Sequence, residues 1–286
     1  MKHLQTQRVR QNLALADGSH WEIAAGDEQA ESIVSKLGRA MQLHTAPGAI
    51  GPAIHGNLCH LLVQVDAHAS VANYHVSLAS ENGGFVVCVL NPSNHSSELY
   101  FNLMRLSLIL AREAQARGGV LIHGALAERD GIGVILAAPG GTGKTTASNR
   151  LPAPWRSLCD DATLVVLDPQ GNYWAHPWPT WSRFLDGGPG GSWDVQNAVP
   201  IKRIFFLIQS VQERVERAGT RQAVGLLGES ARQVSTFMTL GLRKEELRAL
   251  HLERFNVLCA LARVIPVHLL NISLTSPFWQ QIEQTF

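Results

Sequence analysis

The chain lacks any apolar run approaching the ~18 residues that a membrane span requires. Its start, Met1-Lys2-His3-Leu4-Gln5-Thr6-Gln7-Arg8, has no apolar signal-peptide core. Cysteine is scarce: Cys59, Cys88, Cys159 and Cys259 stand singly, without a Cys-x-x-Cys pair. That argues against a disulfide framework or a cysteine-based zinc site, and the expectation is reduced thiols in a cytoplasmic protein. An excess of one charge is also missing. Lys+Arg number 24 against 23 Asp+Glu, a net +1, so no global field directs the chain to nucleic acid or to an anionic membrane. No internal repeat or low-complexity tract interrupts it.

What is present is a core-building composition. Apolar residues make up 45% of 286 positions and charged residues 16%, which excludes a disordered chain and a coiled-coil rod. At roughly 150 residues per domain the length suggests about two domains. Residues 21–25, 61–66 and 85–90 have the apolar, β-branched texture of strands. Between the first two, Ala30, Ile33, Val34, Leu37 and Met41 recur at helical spacing, and the Gly/Pro/Ala-rich residues 45–56 are expected to be a loop. A second helix is expected over 97–117, with Leu99, Leu103, Leu106 and Leu110 on one face and Gly118-Gly119 ending it. Two apolar strands then flank Glu128-Arg129-Asp130-Gly131, whose Asp-Gly is a tight-turn signal. The expected organisation is α/β: a smaller α+β domain over 1–117, then a core of mixed sheet and helices over 118–286.

The most specific signal is Ala138-Pro139-Gly140-Gly141-Thr142-Gly143-Lys144-Thr145-Thr146, directly after an apolar strand. Glycines let successive N–H groups turn inward around an anionic phosphate. In this pattern Lys144 reaches the β- and γ-phosphates, the Thr145 hydroxyl holds Mg²⁺, and the following helix dipole favours the same anion. Pro139 through Thr146 are therefore the expected nucleotide-binding residues. Ala138 replaces the glycine that usually opens the motif. Pro152 and Pro154 limit the next helix to roughly two turns.

A carboxylate near the loop is needed for the metal. Two places compete: Asp168, at the end of Leu164-Val165-Val166-Leu167, and the pair Asp160-Asp161. Asp168-Pro169-Gln170-Gly171-Asn172 also reads as a turn, and an adjacent Asp pair is either solvated or neutralised by a cation.

The order Leu121-Ile122-His123-Gly124, Gly140-Gly141-Thr142-Gly143-Lys144-Thr145, Leu158-Cys159-Asp160-Asp161 resembles the catalytic domain of HPr kinase/phosphorylase. With Val199-Pro200-Ile201-Lys202-Arg203-Ile204-Phe205-Phe206-Leu207 it also resembles the smaller SynChlorMet-cassette and peptide-tailoring kinase-like relatives. The resemblance implies a P-loop kinase fold, ATP and Mg²⁺. It makes Asp161 the base for the acceptor hydroxyl, Asp160 its neighbour at the metal, and His123 an active-site histidine at a strand end. It offers Asp186 as a further metal residue, from an echo of a Leu-Glu-x-Arg-Gly-x-Gly segment at Leu185-Asp186-Gly187-Gly188. Thr146 stands where that family has Glu, and no catalytic Arg loop is evident.

The expectation is thus an ATP-dependent phosphotransferase acting on an alcohol of a peptide, protein or small molecule, without nucleic-acid or membrane partners. The family's oligomeric habit implies a homo-oligomer. A regulatory ATP-binding scaffold and a simple NTP hydrolase are the alternatives. Three tryptophans in Trp174-Ala175-His176-Pro177-Trp178-Pro179-Thr180-Trp181 read either as a rigid cap on the core or as an acceptor platform.

Overall fold

The computed structural model describes residues 9–45, 57–68, 74–80, 83–93, 95–188, 190–239 and 242–286. They form two compact units, Met1–Leu108 with Pro179–Gln196, and Ile109–Trp178 with Asn197–Phe286. Each unit is built on its own mixed sheet, giving an α/β fold. No helix among the described residues is long and apolar enough to cross a membrane.

The first unit contains β1 (Arg10–Ala14), β2 (Ser19–Ala25), α1 (Glu28–Ala40), β3 (His44–Thr45), β4 (Asn57–Val65), β5 (Tyr74–Ser80), β6 (Gly83–Leu90) and the start of α2 (Ser96–Gln115). Its sheet order is β3-β1-β2-β4-β6-β5, with β2, β4 and β6 parallel. Burial alternates strictly along β2, placing Trp21 and Ile23 on the packed face. Asp27 caps α1 by accepting from the Ala30 N–H at 2.8 Å, and its second oxygen accepts from Val65 N–H at 2.7 Å. One carboxylate therefore fixes both the helix start and the end of β4. Ala30, Ile33, Val34 and Leu37 are the buried stripe of α1, as their spacing predicts. The loop expected over 45–56 lies, beyond Thr45, outside the described residues.

The second unit contains the end of α2, β7 (Val120–Arg129), β8 (Ile132–Ala137), α3 (Lys144–Arg150), β9 (Arg156–Cys159), β10 (Ala162–Leu167), β11 (Tyr173–Trp178), β12 (Val199–Gln209), β13 (Arg214–Arg217), α4 (Thr220–Ser235), α5 (Lys244–Val264), β14 (Val267–Ile272) and α6 (Trp279–Glu283). Strand order is β11-β10-β7-β8-β12-β14-β13, with β9 on β7 and β11 also pairing β12. Strands β8, β12 and β14 are mutually parallel, so the ends of these three strands share one edge. Ala125, Ala127, Val134, Leu136, Phe205 and Leu270 fill the core from alternate positions of β7, β8, β12 and β14.

Strand β7 meets β10 and then β9 along its length, and β8 joins it from Gly124 onward. Residues 120–123 pair with β10, whereas Gly124 to Arg129 pair with β8. His123 is expected at a strand end; it lies instead inside a continuous ten-residue strand, one residue before β8 joins it. The reason is the neighbouring glycine. A Cβ on Gly124 would lie 2.7 Å from Ile135 Cγ2 and 3.3 Å from Ala137 Cα, so only glycine lets β8 come this close.

The tryptophan-rich stretch divides between the units. Trp178 closes β11 and is 1% exposed, and Trp181 opens a short 3-10 helix of the first unit and is 5% exposed. Trp181 donates its indole N–H to Ser107 Oγ at 2.7 Å and packs with Phe184 and Trp193. Both rings are core residues, which removes them as an acceptor platform.

Gly124→Ala should destabilise the second unit by about 1–3 kcal/mol, the cost of overpacking a filled core. Urea unfolding of both proteins would read this as a lower midpoint at unchanged slope.

Candidate active site

β8 delivers the chain to the glycine loop 138–143, and α3 begins at Lys144. Gly141 and Gly143 have φ of 76° and 98°, values that favour glycine, and Gly143 is the residue before the helix. The loop is tied by Thr142 N–H to Pro139 O at 3.3 Å, by Ala147 N–H to Gly143 O at 2.8 Å, and by the Gln209 amide, which donates to Thr142 O at 3.3 Å from the end of β12. Ala138, where the motif usually has glycine, is 2% exposed and packs in the core with Leu136, Ala147 and Phe205. Its methyl group therefore anchors the loop and does not obstruct it. A Cβ built on Gly140, Gly141 or Gly143 would meet nothing within 4 Å. The loop thus curves around open space, with Pro139, Gly140 and Gly141 exposed.

Lys144 points back into this loop. Its side chain is 5% exposed, and its Nζ donates to Ala138 O at 3.1 Å and Pro139 O at 3.4 Å. Asp161 Oδ1 is 3.7 Å away. Burial pushes the ammonium pKa down, opposed by Asp161 and then Asp160. Thr145 and Thr146, at the helix start, are exposed. The Thr145 hydroxyl donates to Asp160 Oδ2 at 3.4 Å.

Asp160 and Asp161 occupy the tight link between β9 and β10. Asp161 Oδ1 also meets His123 Nε2 at 2.9 Å. Burial would raise the Asp161 carboxyl, but the hydrogen bond and charge of His123, then those of Lys144, outweigh it and hold it below the ordinary carboxylate range. Asp168, at the other end of β10, belongs to a different structure. It accepts from the N–H groups of Gln170 and Asn172 at 2.9 and 2.7 Å and from Trp174 Nε1 at 2.9 Å, so it organises a turn. Asp186 falls in the 3-10 helix Trp181–Gly187 of the first unit, and its side chain lies outside the described residues.

The fold thus brings His123, Lys144, Thr145, Asp160 and Asp161 together from β7, α3 and the β9–β10 link. It adds residues that no local motif announces. Ser230 Oγ, on α4, donates to His123 O at 3.0 Å, and Gln233 Oε1 meets His123 Nδ1 at 2.5 Å. The signal available for them was a polar pair spaced three apart on a helix whose buried stripe is Ala223, Leu227 and Ala231.

Among the described residues no group of three or more His, Cys, Asp or Glu could hold a metal. A magnesium site needs fewer protein ligands, because Mg²⁺ keeps several waters and takes substrate phosphates. The hydroxyl of Thr145 and the carboxylate of Asp160, two hard oxygen donors beside the loop, fit that requirement.

Residues 86–286 match the model of a family described as SynChlorMet cassette protein ScmC. No curated protein matches the chain.

The lowered Asp161 carboxyl has a definite consequence for stability. Its charged form is favoured by folding, so its contribution is fully present above about pH 4, the unfolded value, and is lost as pH falls through the lower folded value. Urea midpoints of wild type and Asp161→Asn should therefore converge on acidification below about pH 4, with the wild type more stable at neutral pH.

Proposed function

Since the chain belongs to the SynChlorMet cassette protein ScmC family, whose description names no reaction, we propose from the site itself that it is an ATP-dependent phosphotransferase moving the γ-phosphoryl group to an alcohol. The acceptor would be a peptide, a protein or a small metabolite. One observation carries this reading: a phosphate-sized glycine loop with its lysine lies within 3.7 Å of a carboxylate that is itself held by a histidine. A phosphate-gripping cation and a proton acceptor then face the same small volume.

In the proposed reaction the N–H groups of residues 140–145 and Lys144 hold the donor phosphates. Thr145 and Asp160 would hold Mg²⁺, which supplies neutralisation of phosphate charge when bound. Asp161 orients the acceptor hydroxyl and takes its proton as the new oxygen–phosphorus bond forms and the bond to the ADP oxygen breaks. A carboxylate of low basicity suits this step, since little proton transfer is needed until the phosphoryl group is largely detached. Alignment and charge stabilisation supply the remainder of the rate. The resemblance to HPr kinase/phosphorylase supports the same roles. Thr146, where that family has Glu, and the missing Arg loop count against HPr itself as acceptor and against the reverse, phosphorolytic direction.

Incubation with Mg²⁺, γ-labelled ATP and fractionated cytosol of the source cell tests the reading. Label should enter one fraction with the wild type and fall by about 100-fold or more with Lys144→Ala or Asp161→Asn. Tight MgATP binding without labelled product would replace the kinase by a regulatory nucleotide-binding protein. Acceptor-independent phosphate release would replace it by a hydrolase.

A further inference from the structure

The His123 ring is gripped at both nitrogens, and the two contacts differ in chemistry. Nε2 meets Asp161 Oδ1 at 2.9 Å, and Nδ1 meets Gln233 Oε1 at 2.5 Å. Which end of the Gln233 amide faces the ring is decided one helical turn away. Its Nε2 donates to Glu229 Oε1 at 3.0 Å, a contact between residues four apart on α4. Glu229 also accepts from Arg232 at 2.7 and 2.8 Å through both oxygens. The hydrogen bonds of Arg232, then of Gln233, bring its carboxyl down to about 2. Glu229 therefore stays ionised near neutrality, and an ionised carboxylate can only accept. Gln233 must give it the NH₂ end, which leaves the carbonyl end for His123.

A carbonyl oxygen likewise only accepts, so the hydrogen between Gln233 and the ring must sit on Nδ1. A neutral ring protonated only on Nε2 would set the Nδ1 lone pair against Oε1 across 2.5 Å. That form is excluded, and because the Asp161 carboxylate at 2.9 Å from Nε2 likewise only accepts, the ring that satisfies both neighbours donates from both nitrogens. The ring backbone is fixed from the same helix, since Ser230 Oγ donates to His123 O at 3.0 Å. Two residues three apart on α4 thus hold both the main chain and the ring of one β7 residue.

We propose that Gln233, with its amide turned by Glu229, is a positioning residue that commits Nδ1 of His123 to donation and so keeps Nε2 on Asp161. This inference rests on the phosphotransfer reading for its consequence, because Asp161 is the proton acceptor of that reaction, but not for its geometry. The groups facing the ring are Asp161 from the β9–β10 link and Gln233 from α4. Behind them stand Lys144 at 3.7 Å from Asp161 and the Glu229–Arg232 pair. With Gln233 in place, the carboxylate keeps one fixed neighbour when Lys144 is drawn to phosphate. Without it, a neutral ring can serve Asp161 alone from Nε2, and nothing fixes its rotation about that bond.

Imidazole ¹⁵N NMR of the full chain reads the proton position directly, with His123→Gln identifying the resonance. In the wild type Nδ1 should carry a proton. In Gln233→Leu the neutral ring should move to the Nε2-protonated form, and Gln233→Glu, which restores an acceptor, should return it. Under the labelled-ATP assay, Gln233→Leu should lower kcat about tenfold or more with KM for ATP unchanged, and Gln233→Glu should recover part of the loss. A bare Nδ1 in the wild type, or a ring signal unmoved in Gln233→Leu, overturns the proposal whatever the activity. Wild-type protein that shows the expected ring signal but transfers no phosphoryl group overturns the kinase reading and leaves the positioning role standing.

Discussion

A buried ammonium must be neutralised, and the second unit is arranged around that requirement. Lys144 is 5% exposed, and an isolated charge so far from water would cost several kcal/mol. Two loop carbonyls accept from it, and Asp161 at 3.7 Å supplies opposite charge, to which Asp160 adds. Asp161 in turn needs the β9–β10 link beside the glycine loop. Strand β7 must then pair with β10 through residue 123 and with β8 from Gly124 onward. Gly124, where β8 joins the strand, is what allows the approach. From Lys144 outward the contacts run through Asp161, His123, Gln233, Glu229 and Arg232, each donor meeting an acceptor, until the chain of polar groups reaches solvent on α4.

The polar chain is held by paired contacts, whereas the glycine loop beside it is open. The glycines that line the loop leave space a Cβ could occupy, whereas Gly124 leaves none. The two kinds of glycine therefore have different physical causes. Gly141 and Gly143 answer to backbone angle, and Gly124 answers to the distance between two strands.

This distinction bears on what the sequence made legible. The loop, the Asp130-Gly131 hairpin and the short α3 are encoded within a few adjacent residues, so pattern alone locates them. Residue pattern alone left Asp160-Asp161 and Asp168 open and the choice came from the family resemblance, because both adjoin β10 and only the pairing of β10 with β7 decides which end meets the loop. Gln233 contacts a residue 110 positions earlier in the chain, and no local spacing carries that information. The tryptophan stretch stayed open between a cap on the core and an acceptor platform, because only the packing that buries Trp178 and Trp181 tells the two apart. His123 was placed at a strand end because Gly124 reads as a break, where in fact it permits the strand to continue against a closer neighbour.

The same charge arrangement constrains the proposed reaction. While Lys144 rests on Ala138 O and Pro139 O it also shares Asp161. Phosphate groups held in the loop would draw that ammonium toward themselves, and their negative charge would press on the carboxylate beside them. A lone Asp161 would then be pushed toward its protonated form when it must accept a proton. His123 is the neighbour that does not depend on the loop, since α4 holds it from behind through Ser230 and Gln233. On this argument the histidine's part is electrostatic and directional: it keeps the carboxylate charged and turned toward the acceptor while the lysine changes partner. Helix α4, which touches no residue of the glycine motif through these bonds, would then belong to the proposed reaction's geometry through the two side chains that grip one ring.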